Sequence, residues 1–484
     1  MKPMENRKFR PLPLLAAALL LLSACAHETE DGQMTQLADT ETSAPETEAP
    51  LYTLPEADFG GEACNFYVSE FYAKSFAFEE IGEKLNDAQY RMVKKAEDAL
   101  NVTVTETEID LWQQLDSVRQ LVMAGDTEYD VISMHERFAP SAAMEGLVMD
   151  ISDIDSIALG EPWWGGKVLD TLALGDRLFF GIGAFNLATY QRTACLLMNT
   201  TLAASVNIEI PYDDVFAGTW TWDDVLLSHS TVTQDLNGDG VFTMEDRYNL
   251  AVGDNRIAAN INYIGMGANI LTNNGTTLAL TMFDDERLVN AFEMTKALLY
   301  SGNNNVKQFL TVDNYSMRDN FIAGNSLYYQ IYFMRVNELR DMKDDYAILP
   351  IPKYSDEQDS YYCRTDDSIF QMIPTTQEDP DMVGTVLDSL ACIGYYDLLP
   401  VYVDTVVKEK LARDDQSKRS LDICFETMTL DLANTYLYSL VGSDVIHEKL
   451  IGSSSFSIVS FLESKSKQME RAIRDNMKAY DAVE

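Results

Sequence analysis

Positive charge, histidine and patterned cysteine are all scarce in this chain. Lys and Arg total 36 against 77 Asp and Glu, a formal net charge of −41. Such a surface repels phosphate backbones, which argues against nucleic acid as a partner. Four histidines, His27, His135, His229 and His447, are too few and too dispersed for a His-rich metal site. The cysteines are Cys25, Cys64, Cys195, Cys363, Cys392 and Cys424, with no CxxC and no metal-type spacing. Buried free thiols suit the last five, and one disulfide among them stays open. No internal repeat is visible, and beyond the N-terminal run no apolar stretch is long enough to span a bilayer. The GxSxG, HExxH, P-loop, GxGxxG and SxxK/KTG patterns are missing, which favours a binding protein over an enzyme. Carboxylates are abundant enough that a glycosidase pair stays open.

The N-terminus carries Lys2, Arg7, Lys8 and Arg10, then an uncharged apolar run from Pro11 to Ala24. That order describes a signal peptide. Leu22-Ser23-Ala24-Cys25 has the form of a bacterial lipobox, so residues 1–24 are expected to be removed and Cys25 lipidated. Residues 25–56 hold eight acids and no Lys or Arg, with too little apolar surface to offset ordering entropy, and read as a flexible tether.

Structure is expected from about residue 57. The pattern predicts a strand over 64–69, a helix over 83–100, a strand over 102–106, a helix over 111–124 stopped by Gly125, and a strand over 129–133. Strand–helix alternation implies a parallel sheet, whose ligands sit at the carboxyl ends of strands. That points to the segment after the last strand, His135-Glu136-Arg137. Further on, a strand is expected over 178–182, and Thr221 and Asp224 form a capping box opening a helix at Trp222. A long helix is expected over 284–300 and strands over 326–332, 346–351 and 368–373, with a mostly helical C-terminal part.

Residues 235–246 fit the twelve-residue calcium loop. Asp235, Asn237 and Asp239 fall at positions 1, 3 and 5, Gly240 at 6, Val241 at 7 and Asp246 at 12. The expectation is a structural Ca²⁺ that pins a surface loop; a metal-free Asn-Gly/Asp-Gly turn is the alternative. A single loop does not make a calcium sensor.

Several motifs fall in a familiar order: Ala124-Gly125-Asp126 with Tyr129-Asp130-Val131-Ile132, Gly218-Thr219-Trp220-Thr221-Trp222-Asp223, Phe321-Ile322-Ala323-Gly324, and Ile348-Leu349-Pro350-Ile351-Pro352-Lys353. From about residue 58 onward the chain resembles the family 1 extracellular solute-binding proteins, the group that includes maltose-binding protein. The resemblance implies an α/β, two-lobed, type 2 periplasmic-binding-protein-like fold with hinge strands between lobes. It implies an N-lobe of 57–187 and 327–371, a C-lobe of 188–326 and 372–484, and crossings near 180–185, 327–330 and 370–373. The implied role is carbohydrate capture in the interlobe cleft and delivery to an ABC importer permease. The site would be the extracellular face of a membrane, through the lipid anchor, in a Gram-positive bacterium. The implied ligand contacts are His135, Glu136, Arg137, Trp163, Trp164, Asn186, Asn262, Tyr263, Gln330 and Tyr332. Where the family places an aromatic before the first of these, this chain has Ser133 and Met134. The competing expectations are a secreted lipoprotein enzyme such as a glycoside hydrolase, and a scaffold lipoprotein.

Overall fold

The structure, a computed structural model, describes residues 52–70, 75–252, 255–300, 316–408 and 415–483. Residues 1–51, which hold the expected signal peptide, Cys25 and most of the expected tether, lie outside the described residues. The body begins earlier than the charge pattern suggests. Tyr52 stacks on Tyr396 at 5.1 Å and donates to Asp397 at 2.7 Å, while Lys95 sits over the Tyr52 ring. Residues 52–56, expected in the tether, are therefore attached to the body by an aromatic contact that composition alone does not reveal.

The first sheet is built from β1 (Glu62–Ser69), β2 (Val102–Ile109) and β3 (Val131–His135), all parallel, with β2 and β3 flanking β1. Helix Lys84–Leu100 connects β1 to β2. Glu83 caps its first amides, and Ala88, Met92, Val93, Ala96 and Leu100 turn inward at helical spacing. Helix Gln114–Ala124 connects β2 to β3 and ends where Gly125 adopts φ +69°, as its position predicts.

The chain then leaves for a second sheet. This contains β4 (Ala194–Asn199) at its centre and β5 (Tyr248–Val252) at one edge. A separate hairpin, β6 (Leu271–Asn273) with β7 (Leu278–Leu280), precedes β8 (Ser326–Tyr332) and β9 (Tyr346–Leu349). The order is β5-β8-β4-β9, with β8 and β9 antiparallel to β4. This corrects the assignment of 327–371 to the first lobe, and of 327–330 to a crossing. Every side chain of β8 is buried, so its near-continuous apolar and Tyr run reads alike in either sheet, and only the pairing decides.

β10 (Cys363–Thr365) begins the return, and β11 (Ile369–Met372) joins the first sheet antiparallel to β3. β12 (Met428–Leu430) pairs with β10. The expected strand at 178–182 is reduced to isolated bridges. Gly181 exchanges backbone hydrogen bonds with Gln371, and Phe180 stacks on Phe370 at 4.9 Å, which brings two of the expected crossings side by side.

Pro380–Thr405 is, among the described residues, one helical run long and apolar enough to cross a membrane by length and composition, contrary to the sequence expectation. Its buried face, including Val383, Val386, Leu387, Leu390 and Ala391, packs in the protein core. A π-turn at Gly394–Leu398 interrupts it. A Cβ at Gly394 would lie 2.5 Å from the Phe185 amide nitrogen, so only glycine lets the helix approach the crossing segment. The five described cysteines are free and buried.

Candidate functional site

β3 ends at His135, and the chain turns out of the sheet through Glu136 and Arg137. On the return path Asp367 has φ +47°, a left-handed geometry that Asp tolerates. This turn sends Asp366 and Asp367 to different partners, and two linked networks form around them.

His135 is fully buried. Its Nδ1 accepts from the Arg137 amide at 3.0 Å, which leaves Nε2 to donate to Asp367 at 3.0 Å. Arg192 reaches the other Asp367 oxygen at 2.7 Å. Burial opposes ionisation of Asp367, but the His135 hydrogen bond and the charges of Arg192 and Arg137 hold its carboxyl well below the usual range.

The second network surrounds Arg364, which is also fully buried. It donates to Tyr332 Oη at 2.6 Å and to Asp366 at 2.7 Å, and Tyr332 donates to the other Asp366 oxygen at 3.3 Å. Asp431, at the N-cap of helix Leu432–Tyr436, accepts from Asn260 at 2.8 Å and from Tyr263. Glu136 Oε1 accepts from Asn434 Nδ2 at 2.9 Å, and the same amide nitrogen reaches Asp366 at 3.3 Å. Burial first, then the nearby Asp366 carboxylate, pushes the Glu136 carboxyl up to about 8.

Above these buried groups lies an aromatic rim. Arg137 stacks on Tyr438 at 3.7 Å and lies 5.7 Å from Trp112, which packs edge-on against Phe138. Trp112 is 64% exposed, an open apolar face where β2 gives way to the next helix.

His135, Glu136, Arg137, Tyr332 and Tyr263 are thus brought together. Asn262 and Gln330 pair with each other at 2.7 Å, and Asn262 also donates to Thr295. The remaining expected contacts lie elsewhere. Trp163 and Trp164 both donate their indole N–H to Asp388, at 3.0 and 2.7 Å. Asn186 bonds Ser75 and caps a turn at the Ala188 amide. These side chains are committed to packing and turns. Sequence reading missed Trp112, Arg192, Arg364, Asp366, Asp367, Asp431, Asn434 and Tyr438. The run Arg364-Thr365-Asp366-Asp367 was the signal available: a base followed by two acids just before the apolar strand β11.

In the 235–246 loop, Asp235 accepts from the amides of Gly238 and Gly240, both at 2.7 Å. Asn237 accepts from Asp239 and Asp239 from Val241. Asp246 accepts from Leu236 at 2.8 Å and Thr243 at 2.6 Å. The hard oxygens suit calcium chemically. They are turned to backbone amides, however, and among the described residues no group of three or more His, Cys, Asp or Glu is gathered to hold a metal.

No family model matches the sequence, and no curated protein matches it. Solved structures do match. UspC of M. tuberculosis aligns with a TM-score of 0.57 at 14% identity, over 86% of this chain and all of that one (100%). A cyclo/maltodextrin-binding protein, complexed with maltotetraose, gives 0.55 at 10% identity over 87% and 97%. The GacH receptor of Streptomyces glaucescens, solved unliganded and with acarbose, gives 0.53 at 11% identity over 86% and 99%. What is shared at such identities is the fold: a two-lobed α/β architecture.

Proposed function

We propose that this chain is an extracellular solute-binding protein, lipid-anchored at Cys25, that captures a carbohydrate between its lobes and passes it to an ABC importer permease. The observation that carries this is the Trp112–Arg137–Tyr438 rim over a bed of planar polar groups, placed where the strands of the first sheet end. An aromatic face suits the apolar side of a sugar ring, and guanidinium and carboxylate groups suit its hydroxyls. The proposed N-lobe holds β1–β3 and β11, and the C-lobe holds β4, β5, β8 and β9. Calcium at 235–246 is part of the proposal and rests on the ligand spacing.

The glycoside hydrolase reading has one observation in its favour, the opposed shifts of Glu136 and Asp367. Against it, Glu136 is buried and its oxygens are occupied by Asn434 and by the Ser368 amide.

A sugar panel including maltotetraose and acarbose tests the proposal by indole fluorescence. The expected result is a saturable shift, recovery of the sugar unchanged, and at least a tenfold loss of affinity in Trp112→Ala (about 1.4 kcal/mol). Consumption of a sugar would establish the hydrolase instead, and no shift with any sugar would end the carbohydrate reading. The anchor is tested separately: radiolabelled palmitate should be incorporated by the wild type and not by Cys25→Ala.

A further inference from the structure

We propose that Glu136 and Asn434 form a protonation-dependent latch between the two lobes. This rests on the binding-protein reading for its purpose, though not for its physics. Glu136 leaves the last parallel strand of the first sheet, while Asn434 sits on helix Leu432–Tyr436, whose N-cap Asp431 is held by Asn260 and Tyr263 of helix Asn255–Gly265, the helix that follows β5 of the second sheet. Asn434 is itself fixed, because its Oδ1 accepts from the Ser443 amide at 3.0 Å. Its one amide nitrogen is shared between Glu136 and Asp366. It therefore screens two carboxyl groups that would repel each other if both were ionised.

The surrounding charges are already committed. Arg364 pairs with Asp366 and lies 3.9 Å from Asp431. Arg192, Arg137 and His135 face Asp367. Tyr332 contacts Asp366, and Tyr263 contacts Asp431. The Arg364 charge and the Asn434 hydrogen bond favour the ionised form of Glu136, but burial and the Asp366 and Asp367 carboxylates outweigh them, so the buried carboxyl is held neutral by its surroundings and its ionisation is relieved by separation. With the lobes apart and Glu136 hydrated, it returns toward the ordinary carboxylate value. The closed form then holds the extra proton, and the ratio of closed to open falls as pH rises from about 5 to about 8. The limit is tenfold per pH unit.

Small-angle scattering of the sugar-free mature chain tests this without any ligand. The radius of gyration of the wild type should rise between pH 5 and pH 8 and level off above. Glu136→Gln, a neutral isostere, should stay compact throughout, with near-UV circular dichroism confirming its fold. Asn434→Asp should expand at lower pH than the wild type. A wild-type radius independent of pH, or the same rise in Glu136→Gln, overturns the latch. If Glu136→Gln does not fold, the Asn434→Asp shift decides. Failure of sugar binding in the panel above leaves this result untouched, so the two proposals fail separately.

Discussion

Arg364 is the residue on which the candidate site depends most. Its guanidinium has no exposure, and burial, which disfavours its charge, is outweighed by Asp366, Tyr332 and Asp431. A buried ion pair adds little net stability over a well-packed apolar pair, but removing one partner leaves the other charge stranded. Arg364→Met is therefore expected to destabilise the fold by about 3 to 5 kcal/mol, read from urea unfolding monitored by circular dichroism. A loss below about 1 kcal/mol would mean that Asp366 and Asp431 are hydrated in solution. The same residue shows why the site was half legible. His135-Glu136-Arg137 was found because a parallel sheet points its strand ends at ligands. Arg364, Asp366, Asp431 and Asn434 belong to later segments, and only the tertiary return path brings them there. Trp112 was hidden because an apolar residue at the start of an expected helix reads as core.

At the scale of elements, what local chemistry dictates was legible. The capping box at Thr221 and Asp224 opens helix Trp222–Leu227, Gly125 ends its helix with φ of +69°, and the first three strands and their helices stand close to the expected places. What partner choice dictates was not, and β8 is the case in point. The 235–246 loop lies between these limits. Its glycines adopt the left-handed geometry the motif requires, with φ +74° at Gly238 and +80° at Gly240. Its carboxylates serve the loop amides, yet the oxygens of Asp235 and Asp239 each accept one hydrogen bond and keep a second lone pair. Millimolar Ca²⁺ is accordingly expected to raise the melting temperature, and a chelator to lower it, with Asp235→Ala abolishing both effects. A melting temperature indifferent to calcium and chelator would mean that the turn is held by its own hydrogen bonds.

For the whole molecule, the titrating groups favour mildly acidic conditions. Glu136 titrates near 8 in the fold against an ordinary 4.5, and burial with the neighbouring Glu426 carries Asp422 to about 6 against 3.8. Between the ordinary and the raised values the folded chain binds more protons than the unfolded chain. Stability therefore falls as pH rises through those windows, by up to about 1.4 kcal/mol per unit for each group. Asp367 acts in the opposite sense. Its lowered value contributes stability above the ordinary 3.8, and that contribution is lost as pH falls further. The net charge of −41 at pH 7 adds self-repulsion on the alkaline side. Together these place the stability maximum at about pH 4, with stability falling from there through pH 8. The melting temperature should be several degrees higher at pH 5 than at pH 8, and salt near 0.5 M should shrink only the surface-charge part of that difference (roughly 4 Å screening length). What survives in salt is the buried part, and Glu136→Gln should reduce it. A higher melting temperature at pH 8 than at pH 5 would show that Glu136 ionises freely in the fold, and that the burial holding its proton is lost in solution.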